Sequence, residues 1–330
     1  MAKLTTKEEM RLLSKVGKLY YEEGLTQNEI VDRLQLSRAK ISRLLQAARD
    51  RGVVQIMVIS PPGIYPDLEM QIETRYQLKE AIVVEVTEPE SSESVSRELG
   101  VAAANYLQRI IREDETLGVS WGTTLSHMAA SLQPNIFPEA QVVQLLGGLG
   151  APESEVHATD ICRRMARMLG CRLTLMPSPG IVDRQEIKDI ILSDSHVQKA
   201  FDSFRDLSTV FLGIGAPNDQ SVMLTSGTIL TQKDLQELLE CGAVGDIALR
   251  FFDKFGQPVR SELDSRVIGI GLDQLCKVDR VVGVAGGSHK VEAILGALRG
   301  KLVNVLITDQ VTARRLLEPF GNFNGARGRN

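Results

Sequence analysis

An N-terminal helical unit followed by a doubly wound, mostly parallel α/β domain is the fold class this sequence predicts, and three observations predict it. Residues 25–54, LTQNEIVDRLQLSRAKISRLLQAARDRGVV, read as two short helices around a tight turn. From Ala81 onward, short apolar runs alternate with amphipathic helical patterns, as in a parallel sheet covered on both faces. Between the two lies Ser60-Pro61-Pro62-Gly63-Ile64-Tyr65-Pro66, which is hostile to helix and reads as a linker over 60–66.

The first helix starts at Thr26, which can cap it, with Glu29 three residues later to complete a capping box. Ile30 and Leu34 supply its apolar stripe. Gln35 stands in the turn, where glycine is common; a left-handed backbone there would carry modest strain. Ser37 caps the second helix, which buries Ile41, Leu44, Leu45 and Ala48. That leaves Ser37, Arg38, Lys40, Ser42 and Arg43 as donors for phosphates and base edges in a major groove. The pattern is a helix-turn-helix, and residues 1–59 are read as a DNA-binding domain. Val53–Ile59 reads as a strand closing it, in the manner of a wing.

Charge placement agrees. The first 55 residues carry 11 Lys and Arg against 7 Asp and Glu, whereas the remainder holds 27 against 35. The whole-chain pI of about 5.7 hides a basic head on an acidic body. No run of eighteen apolar residues occurs and MAKLTTKEEM lacks a leader's apolar segment, so a cytoplasmic protein without a membrane partner is expected. Cys162, Cys171, Cys241 and Cys276 are scattered without a C-x-x-C; buried small hydrophobes are expected of them, with no metal and no cofactor.

Residues 67–319 form the second domain, and 320–330, rich in Gly, Asn and Arg, read as a frayed tail. A short amphipathic helix around Leu68, Ile72 and Tyr76 opens the domain. The expected strands are 81–86, 116–119, 141–146, 172–175, 209–214, 246–251, 280–285 and 303–308; the expected helices are 94–112, 155–169, 184–204, 231–240, 288–299 and 310–317. In such sheets ligands sit beyond the carboxyl ends of the strands. Those ends are glycine-rich here: Gly118–Thr124, Gly147–Gly150, Gly213–Gly215 and Gly286–Lys290. Glycine admits close approach to the backbone, and a following helix start offers free N–H groups to an anion. Beside Gly122, Thr123 and Thr124 add hydroxyls, and Lys290 adds an ammonium at a helix start, where the dipole disfavours it unless an anion is bound. Asp246 can accept from sugar hydroxyls, and His157 follows the Gly147-Gly148 loop. Neither a Walker-type nor a dinucleotide fingerprint is present, which argues against ATP and NAD. A small polar ligand at that edge is expected, with no catalytic residue; an isomerase or deaminase using Asp246, His157 and Lys290 as acid and base is the alternative.

The chain resembles the SorC-type bacterial transcriptional regulators of sugar catabolism. The resemblance rests on LTQNEIVDRLQLSRAKISRLL, GVSWGTTL, QLLGGLGAPESEVHATD, GAVGDIALRFFD and AGGSHKVEAILGALRGKLVNVLITD. It implies a body with the fold of sugar-phosphate isomerases and deaminases that serves as a sensor. It implies a sugar, polyol or sugar phosphate effector and a dimer or tetramer on double-stranded operator DNA. It points to Thr123, Thr124, Gly147, Gly148, His157, Asp246 and Lys290. Phosphosugar-binding members can carry a basic residue just before the double glycine; here Leu145 and Leu146 stand there, which favours a monophosphate, free sugar or polyol over a bisphosphate.

Overall fold

The computed structural model describes residues 6–149, 158–217 and 230–318, and the expected tail 320–330 lies outside them. The chain divides into two compact units, Met1–Pro61 and Pro62–Asn330.

In the first unit, α1 (Thr6–Gly17) runs into a π-helical turn (Lys18–Glu22), followed by α2 (Gln27–Leu34) and α3 (Arg38–Asp50). Val16, Leu19, Ile30, Ile41 and Leu45 form its core, with Leu44 only partly buried. Both expected caps are present. The Thr26 hydroxyl accepts from Glu29 N while the Glu29 carboxylate accepts from Thr26 N at 2.7 Å, and Ser37 Oγ accepts from Lys40 N. Gln35 ends α2 in the left-handed region, φ 51°, and its side-chain amide donates to the Asp32 carbonyl at 2.7 Å, which offsets part of the strain. The expected strand at Val53–Ile59 is absent: Gln55–Ser60 has no regular structure. A β-prone sequence forms a strand only beside another edge, and the described residues of this unit offer none.

The second unit begins inside the proline-rich segment. Ile64 bridges Val84, and Tyr65 Oη donates to Glu85 at 3.1 Å. Helix α4 (Pro66–Tyr76) places proline in its first turn, where no N–H is needed, and buries Ile72. Its Glu73 and Glu69 carboxylates accept from the N–H groups of Ala81 and Val83 on β1 (Glu80–Val84), each at 2.9 Å. An edge strand is thereby covered.

The remaining strands are β2 (Thr116–Val119), β3 (Gln141–Gln144), β4 (Arg172–Thr174), β5 (Thr209–Gly213), β6 (Ala243–Ile247), β7 (Arg250–Asp253), β8 (Arg280–Val284) and β9 (Val305–Asp309). Seven of the nine form one parallel sheet in the order β1-β9-β8-β5-β2-β3-β4. Helices α5 (Ser92–Ile110), α6 (Thr123–Ser131) and α7 (Ala158–Leu169) share a core with one face of the sheet. Helix α4, α9 (Ser195–Asp202) and the helix Val291–Arg299 share a core with the other. The chain proceeds from β2 outward through β3 and β4, then returns to β5 on the other side of β2. The crevice between β2 and β5 is thus the topological switch point.

Two expectations need correction. The run 246–251 is not a strand of the main sheet: β6 and β7 form a separate antiparallel hairpin. Ala248 and Leu249, φ 52° and 62°, make its two-residue turn, a conformation usually held by Asn or Gly. The helix expected over 184–204 is two, α8 (Gln185–Leu192) and α9, because Asp194 accepts from the N–H groups of His196 and Val197 and starts a new helix. Of the cysteines, Cys162 is buried, but Cys241 and Cys276 are exposed. Among the described residues no helix is long and apolar enough to cross a membrane.

Candidate functional sites

The outer face of α3 is built to keep cations unpaired. Ser37, Arg38, Ser42 and Arg43 are exposed and Lys40 is half-buried. Three other basic groups of the first unit have acidic partners: Arg33 meets Glu23 at 2.9 Å, Arg51 meets Glu9 at 3.1 Å and Lys18 meets Glu22 at 4.0 Å. Arg38, Lys40 and Arg43 form no ion pair with any described residue, and Arg43 Nε donates to its own helix, to the Ala39 carbonyl at 3.2 Å. Arg38 also borders a groove with Tyr20, Gly24, Thr26, Gln27 and Asn28. Exposed, unpartnered guanidinium groups on the first two turns of a second helix are the arrangement that meets phosphates and guanine edges.

In the second unit a cavity of about 270 Å³ opens at the switch point. It is walled by the loop after β2 (Ser120 to Thr124), the loop after β5 (Gly213 to Ala216), the β6–β7 hairpin (Asp246, Ala248), His289 and Lys290 after β8, and the start of α5 (Ser92, Glu93, Ser96). Helices α2, α3, α5 and α9 each have a side chain closing their first N–H groups; α6 does not. Its cap is Gly122, φ 118°, with open space where a Cβ would stand, and the 3₁₀ turn Ser288–Lys290 after Gly287 is likewise uncapped. Two helical starts thus present bare donors to one cavity, a setting suited to an anion.

Opposite that donor set lies a carboxylate. Asp246 is 4% exposed; its Oδ2 accepts from Leu249 N at 3.3 Å, while Oδ1 is buried without a described hydrogen-bond partner. Burial pushes its carboxyl up to about 6, against the weaker pull of the Leu249 N–H and of Lys290. Burial also lowers the Lys290 ammonium, opposed by Asp246. The position of Asp246 depends on Gly215, which exchanges both backbone hydrogen bonds with it at 3.0 and 3.1 Å. A Cβ on Gly215 would stand 1.9 Å from Asp246 Oδ1. Behind the last loop, Asp309 Oδ2 and Thr312 Oγ1 hold Gly287 N at 2.7 and 2.9 Å, which fixes the turn that carries Lys290.

Of the effector residues expected from sequence, the structure brings together Gly122, Thr123, Thr124, Asp246 and Lys290. Gly147 and Gly148 do not line this cavity. The segment Ser178–Gly180 passes against them: Gly148 N donates to Ser178 O at 2.9 Å, and Gly147 must be glycine because a Cβ there would meet the Pro179 carbonyl at 2.4 Å. Leu145 and Leu146 are fully buried core residues. His157 lies outside the described residues. Ser120, Trp121 and His289 lie in the glycine-rich loops that the sequence marks but were not singled out in them; the α5 start was missed, and the polar run Ser91-Ser92-Glu93-Ser94 after β1 was the available signal for it.

Comparison with known proteins places this geometry in a family. The family model described as "Putative sugar-binding domain" matches residues 64–318. The deoxyribonucleoside regulator of Bacillus subtilis is 33% identical over 94% of this chain and 98% of its own length. The transcriptional regulator LsrR of Klebsiella pneumoniae is 32% identical over 94% and 93%. Among solved structures, the full-length sorbitol operon regulator SorC from Klebsiella pneumoniae superposes with a TM-score of 0.72 at 28% identity, covering 94% of this chain and 100% of that one. With a helix-turn-helix ahead of a sugar-binding domain, matched along nearly its whole length, the chain belongs to the SorC-type family of sugar-binding transcriptional regulators.

Proposed function

We propose that this regulator's hold on an operator is set by a sugar, polyol or sugar monophosphate seated in the switch-point cavity. Ser37, Arg38, Lys40, Ser42 and Arg43 would meet the DNA, and Gly122, Thr123, Thr124, Asp246 and Lys290 the effector. One observation carries the reading: the Asp246 carboxylate lines the same cavity as the Lys290 ammonium and two uncapped helical starts. Hydroxyl groups satisfy the first and an anion the second, so a molecule bearing both fits best. The volume lies near the low end of the ~300–1,000 Å³ of ligand pockets, suited to a single sugar ring or open chain.

The unit serves binding rather than turnover in this reading, acts in the cytoplasm where operators are, and works as a dimer or tetramer, because one short helix reads too few base pairs. The effector can alter operator affinity only by favouring one arrangement of the subunits over another. Trp121, the single tryptophan of the chain, lines the cavity and reports occupancy directly. The test is titration of Trp121 fluorescence with sugars, polyols and their monophosphates, with operator anisotropy measured beside it. A compound that shifts both supports the proposal, and failure of all to shift either, or product formation from sugar phosphates at enzymatic rates, overturns it.

A further inference from the structure

Residues 54–59 carry the largest concentration of unexplained apolar surface in the first unit. Ile56, Met57, Val58 and Ile59 are 62, 82, 85 and 82% exposed. None of Gln55–Ser60 makes a backbone hydrogen bond to a described residue. Ile56, Met57, Val58 and Ile59 are four successive apolar residues, two of them β-branched isoleucine and one valine, with strand propensity. Pro61 and Pro62, without N–H groups, end it. Scattered exposed hydrophobics need no explanation; four in succession on an unpaired β-prone backbone do.

We infer that Val54–Ile59 pairs with the same segment of a second copy of this chain, as an antiparallel two-stranded ribbon across a two-fold axis near Met57. Three observations favour this occupant. First, Val53–Ile59 contains no charged residue, so two copies can lie side by side without like-charge repulsion. The other candidate edges are poorer: β1 is covered by Glu69 and Glu73, and β4 has only three residues and begins with Arg172. Second, the segment leaves α3 in a fixed direction. Val54 N donates to the Ala48 carbonyl at 3.0 Å, and Val54 packs so closely on Gly17 that a Cβ there would stand 2.7 Å from its Cγ2. Joining two such segments, each anchored at Val54, therefore holds two α3 helices near one another. Third, an operator read by two helix-turn-helix units requires a two-fold axis, and an antiparallel ribbon between identical segments supplies one.

The inference rests on the proposal that the protein acts as at least a dimer, and the experiment separates the two. In the full-length chain with Cys171, Cys241 and Cys276 replaced by serine, single cysteines are placed in turn at positions 55 to 59 and oxidised mildly. Disulfide-linked dimers should peak at Met57→Cys and fall towards Gln55→Cys and Ile59→Cys. In parallel, the double variant Ile56→Asp, Val58→Asp changes residues already in water, so each unit keeps its fold. Self-association and operator affinity should each weaken at least tenfold, while the Trp121 effector titration stays unchanged. Dimers by sedimentation that yield no cross-link at any of the five positions, or a double variant that associates like wild type, overturn the ribbon alone. A wild-type chain that stays monomeric at every concentration, with and without operator, overturns both the ribbon and the oligomer.

Discussion

The two candidate sites of this molecule handle charge in opposite ways. On α3, the exposed Arg38 and Arg43 and the half-buried Lys40 have no acidic partner among the described residues, while Lys18, Arg33 and Arg51 are paired with carboxylates. In the switch-point cavity, a carboxylate is buried with one oxygen unpaired, and a lysine is drawn part-way in beside it. The first arrangement costs the fold little, because exposed cations remain hydrated; its strength is released on meeting phosphates and fades with salt. The second strains the fold, because desolvation is charged before any ligand arrives. The operator side should therefore answer to ionic strength, and the effector side to pH.

The contrast can be broken most sharply on α3. Arg38→Ala combined with Arg43→Ala should lower operator affinity by about 1–3 kcal/mol per lost bidentate contact, or roughly 5- to 150-fold each, and should flatten the salt dependence measured by anisotropy. Thermal stability and the Trp121 titration should hold. Equal losses on random and operator duplexes would assign both residues to phosphates alone.

Lys290→Met should weaken a phosphorylated effector by about 1.5–3 kcal/mol, the range for a hydrogen bond to a charged group. Its unphosphorylated parent should be much less affected, as read by calorimetry. Equal loss for both would move Lys290 from the anion to the sugar.

Asp246→Asn sharpens the stability half of the comparison. In the folded chain the carboxyl titrates at about 6, and in the unfolded chain near 3.8. Between those values the native state binds more protons than the unfolded one, so stability falls as pH rises through the window, and the full penalty stands at pH 7. Removing the charge should thus raise Tm at pH 7 by an amount reflecting on the order of 2–3 kcal/mol. The gain should vanish near pH 4, in scanning calorimetry without effector. A Tm lowered at every pH would show that the carboxylate holds the hairpin rather than straining it. The smallest effect belongs to Gln35→Gly: relief of the left-handed turn should stabilise the first unit by about 1 kcal/mol or less, since the amide bond to Asp32 is lost with it.

What could be read from the sequence divides along the same physical line. Caps at Thr26 and Ser37 were legible because they act over three residues, and helix Gln310–Leu317 because its pattern and its Asp309 cap agree. The hairpin at Asp246 was not, since Ala248-Leu249 carries none of the usual turn chemistry and is imposed by its surroundings. Val53–Ile59 has the propensity of a strand without a partner in its own unit. Glycine loops look alike in sequence whether they receive a ligand or another backbone, which is why Gly147-Gly148 was grouped with Gly122 although it packs on Ser178–Gly180. The α5 wall of the cavity comes from a distant stretch and becomes visible only when β1 and β2 are placed in one sheet.

Gly215 has a consequence for descent. One added methyl group there would collide with the Asp246 carboxylate, so Gly215 cannot take a side chain while Asp246 stays, whereas Asp246 can change against an unaltered glycine. Ser92, Ser96 and His289 line the same cavity outside that contact, so substitutions that reshape it meet less constraint there than at Gly215.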